Sequence, residues 1–126
     1  MVFYQKNLIK LFIVGILWGG SNPFLKQATN KKNKNVSIIY ELYGYLSNWK
    51  YILAFIANQS GSLLFYYSLR DSDISMAIPI ANGISLLSTS VIGTIIGEEK
   101  PKIKTMIGVL LLILGILCLI QDDMKK

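Results

Sequence analysis

The sequence lacks histidine altogether and contains one cysteine, Cys118. These absences exclude an intramolecular disulfide, and they leave no cysteine or histidine set for a metal site. The chain also shows no pairing of a nucleophile with a base and no glycine-rich phosphate loop. We therefore expect no enzymatic activity, no metal and no cofactor.

Charged side chains are scarce, with 13 basic and 7 acidic residues, and they lie between long uncharged runs. These runs have 15, 19, 24 and 17 residues, at Leu11–Leu25, Tyr51–Leu69, Ile74–Gly97 and Thr105–Gln121. A helix needs roughly 20 apolar residues to cross a hydrocarbon core about 30 Å thick. The first run can be extended because the stems of Lys10 and Lys26 reach toward the headgroups. We predict one integral membrane domain over residues 1–126, with spans at about 7–28, 51–69, 74–97 and 104–121.

A cleaved secretory signal is the alternative for the first run. Lys6 and Lys10 would be its basic start, and residues 19–21 (Gly-Gly-Ser) would be its cleavage site. However, the apolar character continues beyond that site through residues 23–25. A membrane span is therefore the favoured interpretation.

The first connection, at about residues 27–50, is the longest, and residues 30–35 are rich in lysine and asparagine. Its second half has apolar residues at helical spacing: Val36, Ile39, Tyr43 and Leu46. This spacing predicts a short amphipathic helix on the membrane surface, with a flexible loop around Gly44 as the alternative. The other two connections are short, so neighbouring spans must pack antiparallel. The expected fold is an all-α membrane protein, a four-transmembrane-helix bundle.

Small residues are spaced to bring helices together. Gly15 with Gly19, and Gly93 with Gly97, permit close backbone approach either inside the bundle or between two copies. Gly108 and Gly115 lie seven residues apart on a face that is otherwise leucine and isoleucine. They are the better candidates for a homodimer interface.

The formal charge of +6 comes from lysines that flank the spans or lie in the loops. This arrangement fits anionic lipid headgroups better than a nucleic acid, which we do not expect as a partner. Loops 26–50 and 98–104 contain eight basic residues and the opposite side five, which favours a cytoplasmic position for these loops. A glycosylation acceptor at residues 35–37 would be used only if its loop were lumenal. The sequence does not indicate which membrane holds the protein.

Several blocks resemble a known family, at residues 17–26 (LWGGSNPFLK), 58–67 (NQSGSLLFYY), 77–82 (AIPIAN) and 97–98 (GE). They are similar to the transmembrane protein 234 family, a small branch of the drug/metabolite transporter superfamily. The resemblance implies a transporter-like four-helix fold, similar to EamA and small-multidrug-resistance proteins, with no established substrate.

Four-helix exporters of that superfamily carry a glutamate inside the first helix, and this sequence has none there. Proton-coupled antiport through a central carboxylate is therefore not expected. Glu98 matches the superfamily pattern at the end of the third span, where it would gate the protein or bind a cation. The alternative is a solvated helix cap paired with Lys100 or Lys102.

Polar residues lie inside the first three spans, and on the second and third spans they form stripes. Asn22, Asn58 and Asn82 each fall within about four residues of a span midpoint, roughly 6 Å in depth. The candidate pathway residues are Ser21, Asn22, Asn58, Gln59, Ser62, Tyr66, Asn82, Ser85 and Thr89. We expect the stripes to face each other, and either to bond across the helices or to line a watery cavity, which we favour.

Two function classes stay open. One is a transporter-like protein for an unknown small solute, working as a homodimer. The other is a non-transporting structural or accessory subunit, which would have a different membrane protein as its partner. The lipid bilayer surrounds the protein in both.

Overall fold

The computed structural model of the chain describes residues 2–30, 36–98 and 100–125. These residues form five α-helices and no strand: α1 (Val2–Thr29), α2 (Ile38–Ser47), α3 (Trp49–Leu69), α4 (Ile74–Ile95) and α5 (Ile103–Met124). Within this part of the chain, the segments Asn7–Thr29, Ile74–Ile95 and Ile103–Asp122 are long and apolar enough to cross a membrane. The predicted all-helical class is confirmed, with three candidate spans in place of four.

Helix α3 is not among these candidates, although its 21 residues give it a length of roughly 32 Å. Its middle, at residues 58–62, is a run of amide and small polar residues, which lowers its hydropathy. Three of these residues, Asn58, Gln59 and Ser62, are candidate pathway residues. The polar side chains that make α3 a candidate for solute binding therefore also lower its mean hydropathy.

Helix α1 is the helix on which α3 and α4 both pack, whereas α3 and α4 make few contacts with each other. Along α1, Trp18 and then Ser21 bond to Ser62 and then Asn58, so α3 runs antiparallel to α1. Helix α5 packs on α4 and adds little else. The contacts therefore form a chain from α3 through α1 and α4 to α5.

The core lies in the interface between α1 and α4. Its buried residues are Leu11, Val14, Ala77, Ile80, Ala81 and Ile84. Trp18 and Phe65, with ring centroids 5.2 Å apart, extend the packing toward α3. The residues of α5 within Ile103–Asp122 are not buried in the chain, which leaves most of this helix for lipid or a partner.

Two glycines let α1 and α4 approach closely. A methyl group on Gly15 would lie 2.6 Å from the Cβ of Ile84. On Gly19 it would overlap the carbonyl oxygen of Ser85 and lie 2.5 Å from the Cβ of Ser88. No side chain fits at either position. Both glycines therefore belong to the contact between helices within one chain.

Gly93 and Gly97 do not bring two helices together, as their spacing predicted, but end helix α4. Gly97 has a φ of +91° and no atom within 4 Å of an added methyl group, so it does not contact another helix. The amide of Glu98 bonds to the carbonyl of Gly93 at 2.9 Å, and the amide of Gly97 bonds to that of Thr94 at 3.3 Å. This is a Schellman motif, which ends α4 at Ile95 because the left-handed conformation suits glycine.

Gly108 and Gly115 also have nothing within 4 Å of an added methyl group, and they lie on the open face of α5. Gly83 of α4 is the small residue that α5 uses. A methyl group there would overlap Ile116 and lie 2.7 Å from Leu112. The α4–α5 contact within the chain thus depends on Gly83, which the spacing of small residues did not indicate.

Helix α2 confirms the helical interpretation of the first connection. It has no buried residue and contacts α3 through the stacked rings of Tyr45 and Tyr51, whose centroids are 5.2 Å apart. The Tyr45 hydroxyl donates to Glu41 at 2.8 Å, and this hydrogen bond raises the pKa of Tyr45. The lysine- and asparagine-rich residues 31–35, including the acceptor Asn35, lie outside the described residues.

The close approach at Gly19 can be tested with Gly19→Ala. Both Gly19 and Gly44 are helical, so alanine gains similar helix propensity at each, but only Gly19 has no room for a methyl group. We expect Gly19→Ala to destabilise the protein by about 1–3 kcal/mol. Gly44→Ala, where nothing lies within 4 Å, should leave the midpoint of thermal unfolding in detergent unchanged or raise it. Equal midpoints for the two variants would contradict the packing.

Candidate functional site

Polar side chains of α1 and α3 meet near mid-depth. The amide nitrogen of Asn58 donates to the hydroxyl of Ser21 at 3.0 Å. Ser21 is buried, and its own proton points to the carbonyls of Leu17 at 2.7 Å and Trp18 at 3.0 Å. The hydroxyl therefore accepts from Asn58 and is satisfied on both sides.

A second set of bonds continues from α1 to α4. The Asn58 amide nitrogen also reaches the side-chain oxygen of Asn22 at 3.5 Å, and the Asn22 nitrogen reaches the Thr89 hydroxyl at 3.4 Å. Thr89 donates to the carbonyl of Gly19 at 3.1 Å. Ser21, Asn22, Asn58 and Thr89 thus form one network across three helices, which we name the amide cluster.

The residues of the amide cluster lie close to the midpoints of their helices. Asn22 lies about four residues, or roughly 6 Å, from the midpoint of the Asn7–Thr29 segment. Asn58 lies about one residue from the midpoint of α3. Because Asn22 is exposed while Asn58 and Thr89 are half-buried, the cluster opens on the side where α3 and α4 have few contacts.

The cluster does not use all of its hydrogen-bonding capacity. Among the described residues, the side-chain oxygen (Oδ1) of Asn58 accepts no hydrogen bond, and the Asn22 side chain donates through one of its two N–H groups. The bonds of 3.4 and 3.5 Å lie near the outer limit for a hydrogen bond. The site therefore offers one acceptor and one donor to a further polar group.

Trp18 borders the cluster and was not among the expected site residues. Its indole nitrogen donates to the Ser62 hydroxyl at 3.2 Å, and Ser62 in turn reaches the backbone carbonyl of Asn58 at 3.4 Å. Gly61 makes room for the indole, since a methyl group there would lie 2.8 Å from its Cδ1. An indole N–H at mid-span needs an acceptor, and this requirement could have identified Trp18.

The structure places several expected residues away from the cluster. Asn82 is exposed and lines a groove between α4 and α5, while Gln59 and Tyr66 are exposed on α3. A step of four residues rotates around the helix by roughly 40°, so a stripe of such steps drifts off its starting face. For this reason Asn58 and Ser62 face α1 whereas Tyr66 does not. Ser85 contributes its backbone, against Gly19, to the helix contact.

Glu98 pairs with a residue far away in the sequence. Its carboxylate lies 3.1 Å from the Lys26 ammonium, whereas the alternative interpretation paired it with Lys100 or Lys102. Gly93 permits this fold-back, because the Glu98 carboxylate lies 2.9 Å from the position of a methyl group there. Lys26 is in the last turn of α1, so it also lies near a helix C-terminus, where a cation is favourable. Glu99 lies outside the described residues.

The two ends of α1 are thus held by different contacts. At the opposite end, Asn7 donates to the backbone carbonyl of Asp71 at 2.7 Å, and Lys10 lies 3.8 Å from the Asp71 carboxylate.

No group of three or more metal-ligating side chains occurs among the residues that the structure describes. The chemistry of the amide cluster is that of neutral amides and hydroxyls.

Comparisons with known proteins agree with the sequence blocks. Residues 11–120 match the family model described as "Putative transmembrane family 234". The chain is 35% identical over 116 residues to the transmembrane protein 234 homolog of Dictyostelium discoideum, covering 87% of this chain and 91% of that protein. It is 28% identical over 114 residues to the homolog of Anopheles gambiae, covering 86% and 81%. No solved structure matches. The chain therefore belongs to transmembrane family 234 and is an integral membrane protein.

Proposed function

We propose that the chain is a four-span, transporter-like protein that binds a small neutral polar solute at the amide cluster. In this proposal α3 is the fourth span. The support is its packing: α3 lies antiparallel along α1, and its polar residues Asn58 and Ser62 bond to α1. A helix that accompanies a membrane span in this way shares its depth, and its polar face is satisfied by that neighbour.

The observation that carries the proposal is the unused donor and acceptor beside the exposed Asn22. If the cluster only joined the helices, we would expect its donors and acceptors to pair with each other in short hydrogen bonds. Instead, the two bonds of Asn22 are 3.4 and 3.5 Å long. A solute with both a donor and an acceptor, such as an amide or a polyol, can replace these long contacts.

The solute is expected to be uncharged because the cluster contains no ionisable side chain. Burying an ion next to neutral amides would leave its charge uncompensated. We also propose no coupling through a central carboxylate and no enzymatic step. The likeness to the drug/metabolite transporter superfamily supports movement of the solute by rocking of the helices.

Lys26 and Glu98 are proposed as a gate at one end of the cluster. Lys26 follows Asn22 by four residues on α1, about one helical turn or roughly 6 Å. Opening this pair would connect the cluster with the side that carries loops 26–50 and 98–104. We place this side in the cytoplasm because the lysine count favours it.

A second candidate function is assembly with another membrane-embedded helix, which the α4–α5 groove favours. This groove has a volume of about 690 Å³ and includes Pro79, Asn82, Gly115 and Cys118. The Asn82 side chain makes no hydrogen bond within the described part of the chain, although exposure of an amide to hydrocarbon costs several kcal/mol. We propose that a second copy covers this groove, with a different subunit as the alternative occupant.

Solute binding predicts a difference between two matched substitutions, Asn58→Leu and Asn82→Leu. Neutral amides, polyols and sugars would be screened at millimolar concentration for an increase in the thermal unfolding midpoint in detergent. A solute at 100 times its Kd adds about 2.7 kcal/mol of stability. Asn58→Leu should abolish this increase because it removes the amide, whereas Asn82→Leu on the other face should keep it.

The outcome that would contradict solute binding is equal stabilisation of both variants, or a panel in which no solute stabilises the unaltered protein. Proteoliposomes then separate binding from transport. Counterflow of the stabilising solute supports a transporter, and stabilisation without counterflow supports a binding subunit.

Assembly through the α4–α5 groove predicts a crosslink at Cys118. Oxidation in native membranes should give a dimer through Cys118, and Asn82→Leu should reduce its yield because the polar contact is lost. Leu63→Cys in a Cys118→Ala background is the control, since residue 63 is 74% exposed on the far side of α3. Equal dimer yields from positions 63 and 118 would indicate random collision and contradict this interface.

A further inference from the structure

A second groove lies between α1 and α3, and of the amide cluster only Ser21 lines it. It has a volume of about 570 Å³ and is lined by α1 from Ile16 to Gln27 and by α3 from Trp49 to Ala57. Its inner part is formed by buried or half-buried small residues, including Ser21, Ala54 and Ala57. Small side chains at the contact between two helices leave a channel that large ones would fill.

The length of this groove along α1 matches the thickness of one leaflet of a bilayer. From Gln27 to Ile16 the groove follows α1 over 11 residue steps, or roughly 16 Å. Half of a hydrocarbon core about 30 Å thick is about 15 Å. Its walls are apolar, and Phe24 and Leu53 are exposed along its open side. The length and lining therefore suit one acyl chain that enters from the surface and ends near mid-depth.

The mouth of the groove carries an available cation. Lys50 and Trp49 line it beside Gln27, and the Lys50 ammonium lies 6.0 Å from the centre of the Trp49 ring. Lys50 forms no salt bridge within the described ranges, whereas Lys26 on the same side is paired with Glu98. A tryptophan and an unpaired lysine at the end of an apolar channel are the groups that bind at the level of lipid headgroups.

We propose that this groove is a binding site for an anionic phospholipid, with one acyl chain between α1 and α3 and the phosphate at Lys50. The inference rests on α3 crossing the membrane beside α1, as in the proposed function, but not on solute binding. The bound lipid would cover apolar surface of both helices. It would also leave the amide cluster open on its other side, toward α4.

Native mass spectrometry in a nonionic detergent tests the charge requirement, with dioleoyl phosphatidylglycerol and dioleoyl phosphatidylcholine as probes. The unaltered protein should bind phosphatidylglycerol more tightly. Lys50→Gln should weaken phosphatidylglycerol binding about fivefold, the effect of one lysine near a headgroup, and leave phosphatidylcholine unchanged. Lys10→Gln, at the opposite end of α1, should have little effect. Equal weakening by the two lysine substitutions would overturn the site.

The same measurement tests the acyl chain. Ala57→Phe fills the groove and should reduce binding of both lipids, while Leu63→Phe on the exposed face of α3 should not. Unchanged binding in both Lys50→Gln and Ala57→Phe would also overturn the proposal. Leu63→Cys in a Cys118→Ala background reports separately on α3 as a span. Its labelling by a membrane-impermeant maleimide would show that α3 lies outside the bilayer, whatever the result for the solute.

Discussion

The contact between α1 and α4 at Gly15 and Gly19 is the constraint on which the rest of the structure depends. Without a hydrophobic driving force between helices in lipid, association relies on close packing and on hydrogen bonds. Glycine at both positions brings the backbone of α1 against Ile84 and Ser85. The same approach places the Gly19 carbonyl within 3.1 Å of the Thr89 hydroxyl, so packing and polar pairing occur together.

The parallel direction of α1 and α4 has a further consequence at the membrane surface. Because both helices end on the same side, Lys26 meets Glu98, which the Schellman motif at Gly97 turns back over the helix end. The carboxylate is unfavourable at a helix C-terminus, and the lysine offsets this. The pair is exposed on the lysine side, so its contribution is small in water and sensitive to salt. Such a pair suits a contact that opens and closes.

Helix α1 also divides the protein into two environments. On α3 it meets amides and hydroxyls near mid-depth, and below these an apolar groove that leads to Lys50. On α4 it meets the apolar core of Ile80 and Ile84 and, further along α4, the Thr89 hydroxyl. If the amide cluster binds a neutral solute and the groove an acyl chain, as proposed, both ligands would contact α1 and α3, with Ser21 shared by the two sites.

The sequence predicted those features that depend on local spacing. Run length and charge placement predicted the helices, and the spacing of Gly15 and Gly19 indicated close packing. The distances of Asn22 and Asn58 from the span midpoints indicated that both would lie at one depth. The sequence was a poorer guide to features that depend on rotation about a helix axis or on the position of a residue along it. Tyr66 follows Ser62 by the same four-residue step as Ser62 follows Asn58, yet it is exposed because each step rotates by roughly 40° about the helix axis. Asn82 lies seven residues before Thr89, roughly 10 Å along α4, and lines the α4–α5 groove, whereas Thr89 meets Asn22. The Lys26–Glu98 pair joins residues that no local pattern connects.

The placement of Asn22 against Thr89, with Asn82 apart from it, is tested most directly by disulfide formation between paired cysteines in a Cys118→Ala background. The Asn22 nitrogen and the Thr89 hydroxyl are 3.4 Å apart, so Asn22→Cys with Thr89→Cys should form an intramolecular disulfide on mild oxidation in membranes. Asn22→Cys with Asn82→Cys should remain reduced under the same conditions. A disulfide in the second pair and none in the first would contradict the arrangement of α1 and α4.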